Sequence, residues 1–149
     1  MDEIDRQIVA LLRADARRSF RNVGETVGLS APAVKRRVDR LEATGVVSGY
    51  TAVLDPERFG WGMQAIVSLY CEGTMAADEV RRAVEGHPEV VAAYTVAGEA
   101  SAVLVVRATD TRHLERLLEG LREHKGVLRT QTQIVLSTLF ERPLRLEEP

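Results

Sequence analysis

The sequence predicts an α+β chain in which an all-helical segment precedes a β-α-β-β-α-β segment. Three observations predict it. Apolar residues recur at helical spacing through the first 45 or so positions, and from about Met63 the period drops to two. Between the two patterns, Asp55-Pro56 and Gly60-Trp61-Gly62 break the chain.

Residues 3–14 carry Ile4, Ile8, Leu11 and Leu12 on one face, which predicts an amphipathic helix. The polar stretch Asp15 to Ser19 interrupts it, and Phe20 to Val27 gives a shorter helix with Val23 and Val27 four residues apart. Gly28-Leu29-Ser30 then supplies a turn: the glycine for left-handed backbone, the serine as an N-cap acceptor. Pro32 suits a first helical turn, where its missing N–H costs nothing. The third helix, from about Ala31 to Thr44, buries Val34, Val38 and Leu41 and stops at Gly45.

After Gly45 the chain reads as extended from Val46 to Leu54. Met63 to Glu72 is a strand with Ala65, Val67, Leu69 and Cys71 on one side, and Asp78 to Glu85 is a short helix. Val90 to Val96 and Ser101 to Arg107 form a hairpin about Gly98-Glu99. Asp110 starts a helix with Leu114, Leu117, Leu118 and Leu121 on one face. Leu128 to Leu139 closes as a strand with Thr130, Thr132, Ile134 and Leu136 on one side. This order is the ferredoxin-like arrangement, with both helices on one face of an antiparallel sheet. The run Ala102 to Val106 is apolar on both strand faces, so the open face needs cover, and a second subunit stacking sheet on sheet supplies it. The expected domains are 1–50, a linker over 51–62, and 63–149.

The bulk composition excludes several classes. The 149 residues are 45% hydrophobic and 28% charged, which fits a globular chain rather than a disordered or collagen-like one. No stretch approaches the ~20 apolar residues of a membrane helix, so no membrane partner is expected. The single cysteine, Cys71, and the acidic start Met1 to Asp5 point to a reducing, cytoplasmic setting without a secretory leader. No metal-ligand spacing is present, and no cofactor or metal is expected.

The net charge of −2 hides an asymmetry. Residues 1–50 hold nine Lys/Arg against seven Asp/Glu, and the rest hold eleven against fifteen. Three short helices with a glycine turn before the third make a helix-turn-helix candidate, whose third helix enters the major groove of double-stranded DNA. On it, Arg36 and Arg40 point away from the buried stripe, with Lys35 and Arg37 on the flanks. Arginine can serve phosphates or donate twice to guanine. Ser30 and Ala33, in the first turn, suit base edges or a thymine methyl. Arg17, Arg18 and Arg21 form a second cluster for the backbone, Arg18 foremost.

Taken together, Asp5-Arg6-Gln7-Ile8, Val27-Gly28-Leu29-Ser30, Arg36 to Glu42 and Gly45 to Pro56 resemble the Lrp/AsnC, or feast/famine, family of transcriptional regulators. So do Pro88 to Val91, Tyr94 to Glu99 and Thr130 to Leu136. The resemblance runs to about Phe140. It implies a helix-turn-helix or winged-helix domain, an extended linker, and an α/β domain that senses a small effector, usually an amino acid. It also implies operator DNA as a partner, and self-association into dimers that assemble into octamers or other higher oligomers. The effector would sit between neighbouring dimers, which carries over to Tyr94, Val96, Gly98, Glu99 and Ser101, with Thr132, Ile134 and Leu136 opposite. One departure stands out: Gly98-Glu99-Ala100-Ser101 occupies the turn where the family often has Gly-Asp-Tyr-Asp.

No catalytic constellation emerges. His87, His113 and His124 are scattered, Gly98 to Ala102 is not a nucleophile elbow, and Gly60-Trp61-Gly62 lacks a third glycine. No enzymatic activity is expected. Two other readings stay open at this point: a tetrapyrrole decarboxylase on the same fold, and a module that only holds subunits together.

Overall fold

A computed structural model describes residues 1–73 and 76–142. Residues 74, 75 and 143–149, which the expected second domain includes, lie outside the described residues. The chain forms two compact units, one built on Met1–Val53 and the other on Leu54–Glu141.

The first unit is three helices: α1 (Glu3–Ala14), α2 (Phe20–Val27) and α3 (Ala31–Ala43). Each start has a chemical reason. Asp2 accepts the Asp5 N–H at 2.8 Å while the Asp5 carboxylate accepts the Asp2 N–H at 3.1 Å, a reciprocal box that opens α1. The Ser19 hydroxyl accepts the Asn22 N–H and opens α2. Ser30 precedes α3 with extended backbone, but its side chain makes no capping bond, contrary to the expectation from sequence. Pro32, in the first turn of α3, has no N–H to satisfy, and the Ser30 carbonyl accepts the Ala33 and Val34 N–H groups. Ile8, Leu12, Val23, Val34, Val38 and Leu41 form the core, each worth about 1.5–3 kcal/mol of burial.

The turn between α2 and α3 depends on two glycines. Gly28 is left-handed at φ 73°. Gly24, inside α2, faces the turn: the Leu29 N–H donates to its carbonyl at 2.9 Å, and a Cβ there would meet the Leu29 oxygen. Among the described residues of this unit there is no strand, so the helix-turn-helix is tri-helical and carries no β wing.

The second unit holds a 3₁₀ turn (Pro56–Phe59), β1 (Met63–Cys71), α4 (Ala77–Val84), β2 (Val90–Thr95), β3 (Ala102–Ala108), α5 (Thr111–Glu123) and β4 (Val127–Ile134). The sheet order is β2-β3-β1-β4 with every neighbouring pair antiparallel, which is the ferredoxin-like arrangement expected. Register explains the core. Ala65, Val67 and Leu69 of β1 stand opposite Val106, Leu104 and Ala102 of β3, and all six are buried with Val80, Val84, Leu114, Leu117 and Leu121 of the helices. The alternate residues face the other way. There Ile66, Ser68 and Tyr70 line up with Val105, Val103 and Arg129, and no helix covers them. The Arg129 guanidinium lies 3.5 Å above the Tyr70 ring, and the Tyr70 hydroxyl donates to Gln131.

Candidate functional site

The first candidate surface is α3. Lys35, Arg36 and Arg40 are exposed on it, with Ser30 exposed before the helix and Ala33 half-buried in its first turn. Lys35 pairs with Asp39 one turn on, at 2.6 Å in an exposed position, an interaction weak enough to exchange for a phosphate. Arg36 makes no hydrogen bond or ion pair among the described residues. Arg18 is half-buried and lines an open groove with Phe20, Glu42 and Tyr50, whereas Arg17 and Arg21 stand in solvent.

Arg37 and Arg40 are oriented differently from the sequence expectation. Three residues apart, they share the side of α3 that faces α1, and both reach the same carboxylate. Arg37 donates to Asp5 at 2.8 Å and to Asp2 at 2.7 Å; Arg40 donates to the other Asp5 oxygen at 2.6 Å. Asp5 is only 1% exposed, and it is the buried charged residue of the described chain. Burial alone would push its carboxyl up. The Asp2 N–H and the Arg37 and Arg40 guanidiniums outweigh that and hold it below the usual carboxylate range. Asp2 is lowered as well, chiefly by its bond from Arg37. In the sequence, Asp2 and Asp5 read only as part of an acidic start. Nothing in residue spacing signals a pair 32 positions apart.

The second candidate surface is the β2–β3 hairpin. Its turn, Val96 to Ser101, is exposed around Gly98, and Glu99 stands in solvent with no partner among the described residues. Ser101 is tied into the sheet: its N–H donates to the Leu69 carbonyl at 2.8 Å, and its hydroxyl accepts the Cys71 N–H at 3.1 Å. Tyr94, 58% exposed, stands opposite Val103 on the uncovered sheet face.

The residues expected opposite this group are elsewhere in the same chain. Thr132 and Ile134 pair with Val67 and Ala65, so they face the helix side of the sheet. They lie on β4, the far edge from β2, about 14 Å away at three strand spacings. Ile134 also sits at the β1 start, while Ser101 sits at its end. Leu136 is past the strand and 95% exposed. Within one chain the structure therefore groups Tyr94, Val96, Gly98, Glu99 and Ser101, and separates them from Thr132, Ile134 and Leu136.

Two histidines prove less scattered than expected. The His113 ring meets the Glu89 carboxylate at 2.8 Å and packs at a 36° tilt against Trp61, with ring centres 5.7 Å apart. His87 packs over Gly120, where a Cβ would be 2.9 Å from the ring. Among the described residues no group of three His, Cys, Asp or Glu is placed to hold a metal ion, and no helix is long and apolar enough to cross a membrane.

The tri-helical unit and the sheet unit each match a known family model. Residues 1–42 match the AsnC-type helix-turn-helix domain, and residues 64–144 match the Lrp/AsnC ligand binding domain. The chain belongs to the Lrp/AsnC family of transcriptional regulators. It is 46% identical over 142 residues to the HTH-type transcriptional regulator Rv2324 of Mycobacterium tuberculosis, covering 95% of this chain and 96% of that one. Among solved structures, it resembles a feast or famine regulatory protein of M. tuberculosis complexed with L-methionine. That match has a TM-score of 0.90 and 38% identity, over 98% of this chain and 99% of the other. It also resembles a Neisseria meningitidis transcriptional regulator in an L-methionine complex, at TM-score 0.87 and 29% identity, over 95% and 93%. The family, the α+β class and the regulator reading expected from sequence are thereby borne out. This Lrp/AsnC chain joins a DNA-binding domain to a ligand-binding one, and the two surfaces described above fall one in each.

Proposed function

We propose that the chain reads operator DNA with α3 and changes its regulatory output when an amino acid binds the α/β domain. The observation that carries the first half is Arg36, an exposed cation of α3 with no partner among the described residues, on the helix that Ser30 precedes and that holds Ala33 in its first turn. Lys35 and Arg18 would hold phosphates and fix register. Support for the second half comes from the two methionine complexes of relatives and from the unpartnered Glu99 carboxylate on an exposed turn. Glu99 offers a negative group to an α-ammonium, and the small Ala100 leaves space beside it. Tyr94, Val96, Gly98 and Ser101 would form the rest of that wall, and Thr132, Ile134 and Leu136 of another chain the opposite one.

In this reading residues 1–50 are the DNA-binding domain, 51–62 a linker, and the remainder the sensing and assembly domain. The chain performs no chemistry of its own and works in the cytoplasm. A second copy covers the open sheet face, since Val103, Val105 and Ile66 otherwise stay in contact with water. Dimers then associate further, to octamers, and an effector held between them alters the spacing of paired recognition helices. The test is a mobility-shift assay on DNA from upstream of the protein's own gene, with and without L-methionine. Binding that is flat in salt, or no binding at all, would contradict the DNA reading, because ~6–10 phosphate contacts imply a loss of roughly 10³–10⁵ in affinity between 50 and 200 mM salt.

A further inference from the structure

The helix that would read DNA carries four cations within six positions, yet their charges are not equally available. Lys35 faces Asp39, and Arg37 and Arg40 face Asp5 and Asp2. The Asp5 site is the more committed of the two. Both of its oxygens accept from guanidinium groups, its side chain is buried, and its backbone N–H belongs to the box that starts α1. Pulling Arg37 away toward a phosphate would leave a buried carboxylate short of a partner, which is far costlier than breaking an exposed pair. The four groups Asp2, Asp5, Arg37 and Arg40 sum to no net charge.

We propose that Asp5 is a positioning residue for DNA recognition: it fixes α3 on α1 through Arg37 and Arg40, and keeps both guanidiniums out of the phosphate-binding set. Arg36 is then the cation of α3 that meets DNA without first leaving a partner, and Lys35 follows at small cost. The consequence concerns specificity. Counterion release rewards every free cation on any DNA sequence, so holding two of them back lowers non-specific affinity while the geometry of α3 stays fixed. This inference rests on the DNA reading above.

The test compares full-length wild type with Asp5→Asn, Arg40→Gln and Arg36→Gln, binding a labelled random-sequence duplex over the same salt range. Each phosphate contact contributes about 0.9 to the slope of log affinity against log salt. Arg36→Gln should reduce the slope by about 0.9 for each recognition helix engaged. Arg40→Gln should leave it unchanged, and Asp5→Asn should steepen it and bind random DNA more tightly. A role confined to stability would lower the melting temperature and leave the slope alone. If Arg40→Gln flattens the slope as much as Arg36→Gln does, the inference is overturned while the DNA reading stands. A wild type that shows no salt-dependent binding overturns both. Should Asp5→Asn fold poorly, the comparison of Arg40→Gln with Arg36→Gln still decides. A DNA-free check accompanies it: Asp5→Asn with Arg40→Gln should melt no lower than Asp5→Asn alone, and additive melting shifts would count against the shared carboxylate.

Discussion

The carbonyl oxygen of Leu29 stands 2.3 Å from the point where a side chain on Gly24 would begin. The turn before α3 is closed by this approach, since the Leu29 N–H bonds back to the Gly24 carbonyl. Gly24→Ala should therefore cost about 1–3 kcal/mol, because backbone rather than a flexible side chain has to move. Gly28→Ala should cost about 1–2 kcal/mol, from left-handed backbone alone. Urea melts of the two variants check this, and Gly24→Ala as stable as wild type would disprove the close contact.

How much of this was legible in the sequence differs by feature. The helical stripe Val34, Val38, Leu41 and the strand alternation Ala65, Val67, Leu69 were readable because local period reports which face is buried. Gly24 was not, because it sits in a helical pattern and its constraint comes from a residue five positions on, across the turn. Periodicity puts Arg37 and Arg40 in solvent or at its margin, because a helical wheel shows the core stripe and not what neighbouring helices offer. The last strand ends at Ile134 although alternation continues to Leu136. Its partner β1 starts at Met63, and the ladder's further bond, from Val135 to Gln64, uses up the available edge. The candidate effector residues are grouped by resemblance alone, and neither period nor spacing can reveal that they lie towards opposite edges of one sheet.

Acid should weaken the first unit by way of Asp5. Its folded carboxyl titrates below the unfolded value of about 3.9, so the stabilisation is complete above that pH and disappears as pH falls through the lower, folded value. Asp5→Asn should be less stable than wild type by about 1–3 kcal/mol at neutral pH. The gap should close as the solution is taken below pH ~4. Denaturant melts at a series of pH values measure it; a gap that stays constant into acid would show that the carboxylate charge is irrelevant.

The two faces of β3 should respond differently to substitution. Leu104→Ala, in the helix-covered core, should cost about 2–5 kcal/mol in a melt. Val105→Glu, on the uncovered face, should leave the secondary structure intact and shift sedimentation towards the monomer. A Val105→Glu protein that sediments like wild type would mean that this face is not the one a second copy covers.

At the hairpin turn, Glu99→Ala should abolish or strongly reduce calorimetric heat on titration with L-methionine, with the melting temperature unchanged because Glu99 has no structural partner among the described residues. Ser101→Ala should act otherwise. It removes the acceptor for the Cys71 N–H and should lower stability by about 0.5–1.5 kcal/mol even without ligand. Equal ligand heats from wild type and Glu99→Ala would remove Glu99 from the site.

The separation of Tyr94 and Glu99 from Thr132 and Ile134, towards opposite edges of one sheet, reaches beyond the identity of the ligand. A small molecule gripped by both groups is a cross-linker, and its binding curve depends on protein concentration as well as its own. Dilution would blunt the response before it abolished the fold. The cell's copy number of this regulator would then set its sensitivity, so that expression level becomes a second input alongside the nutrient itself.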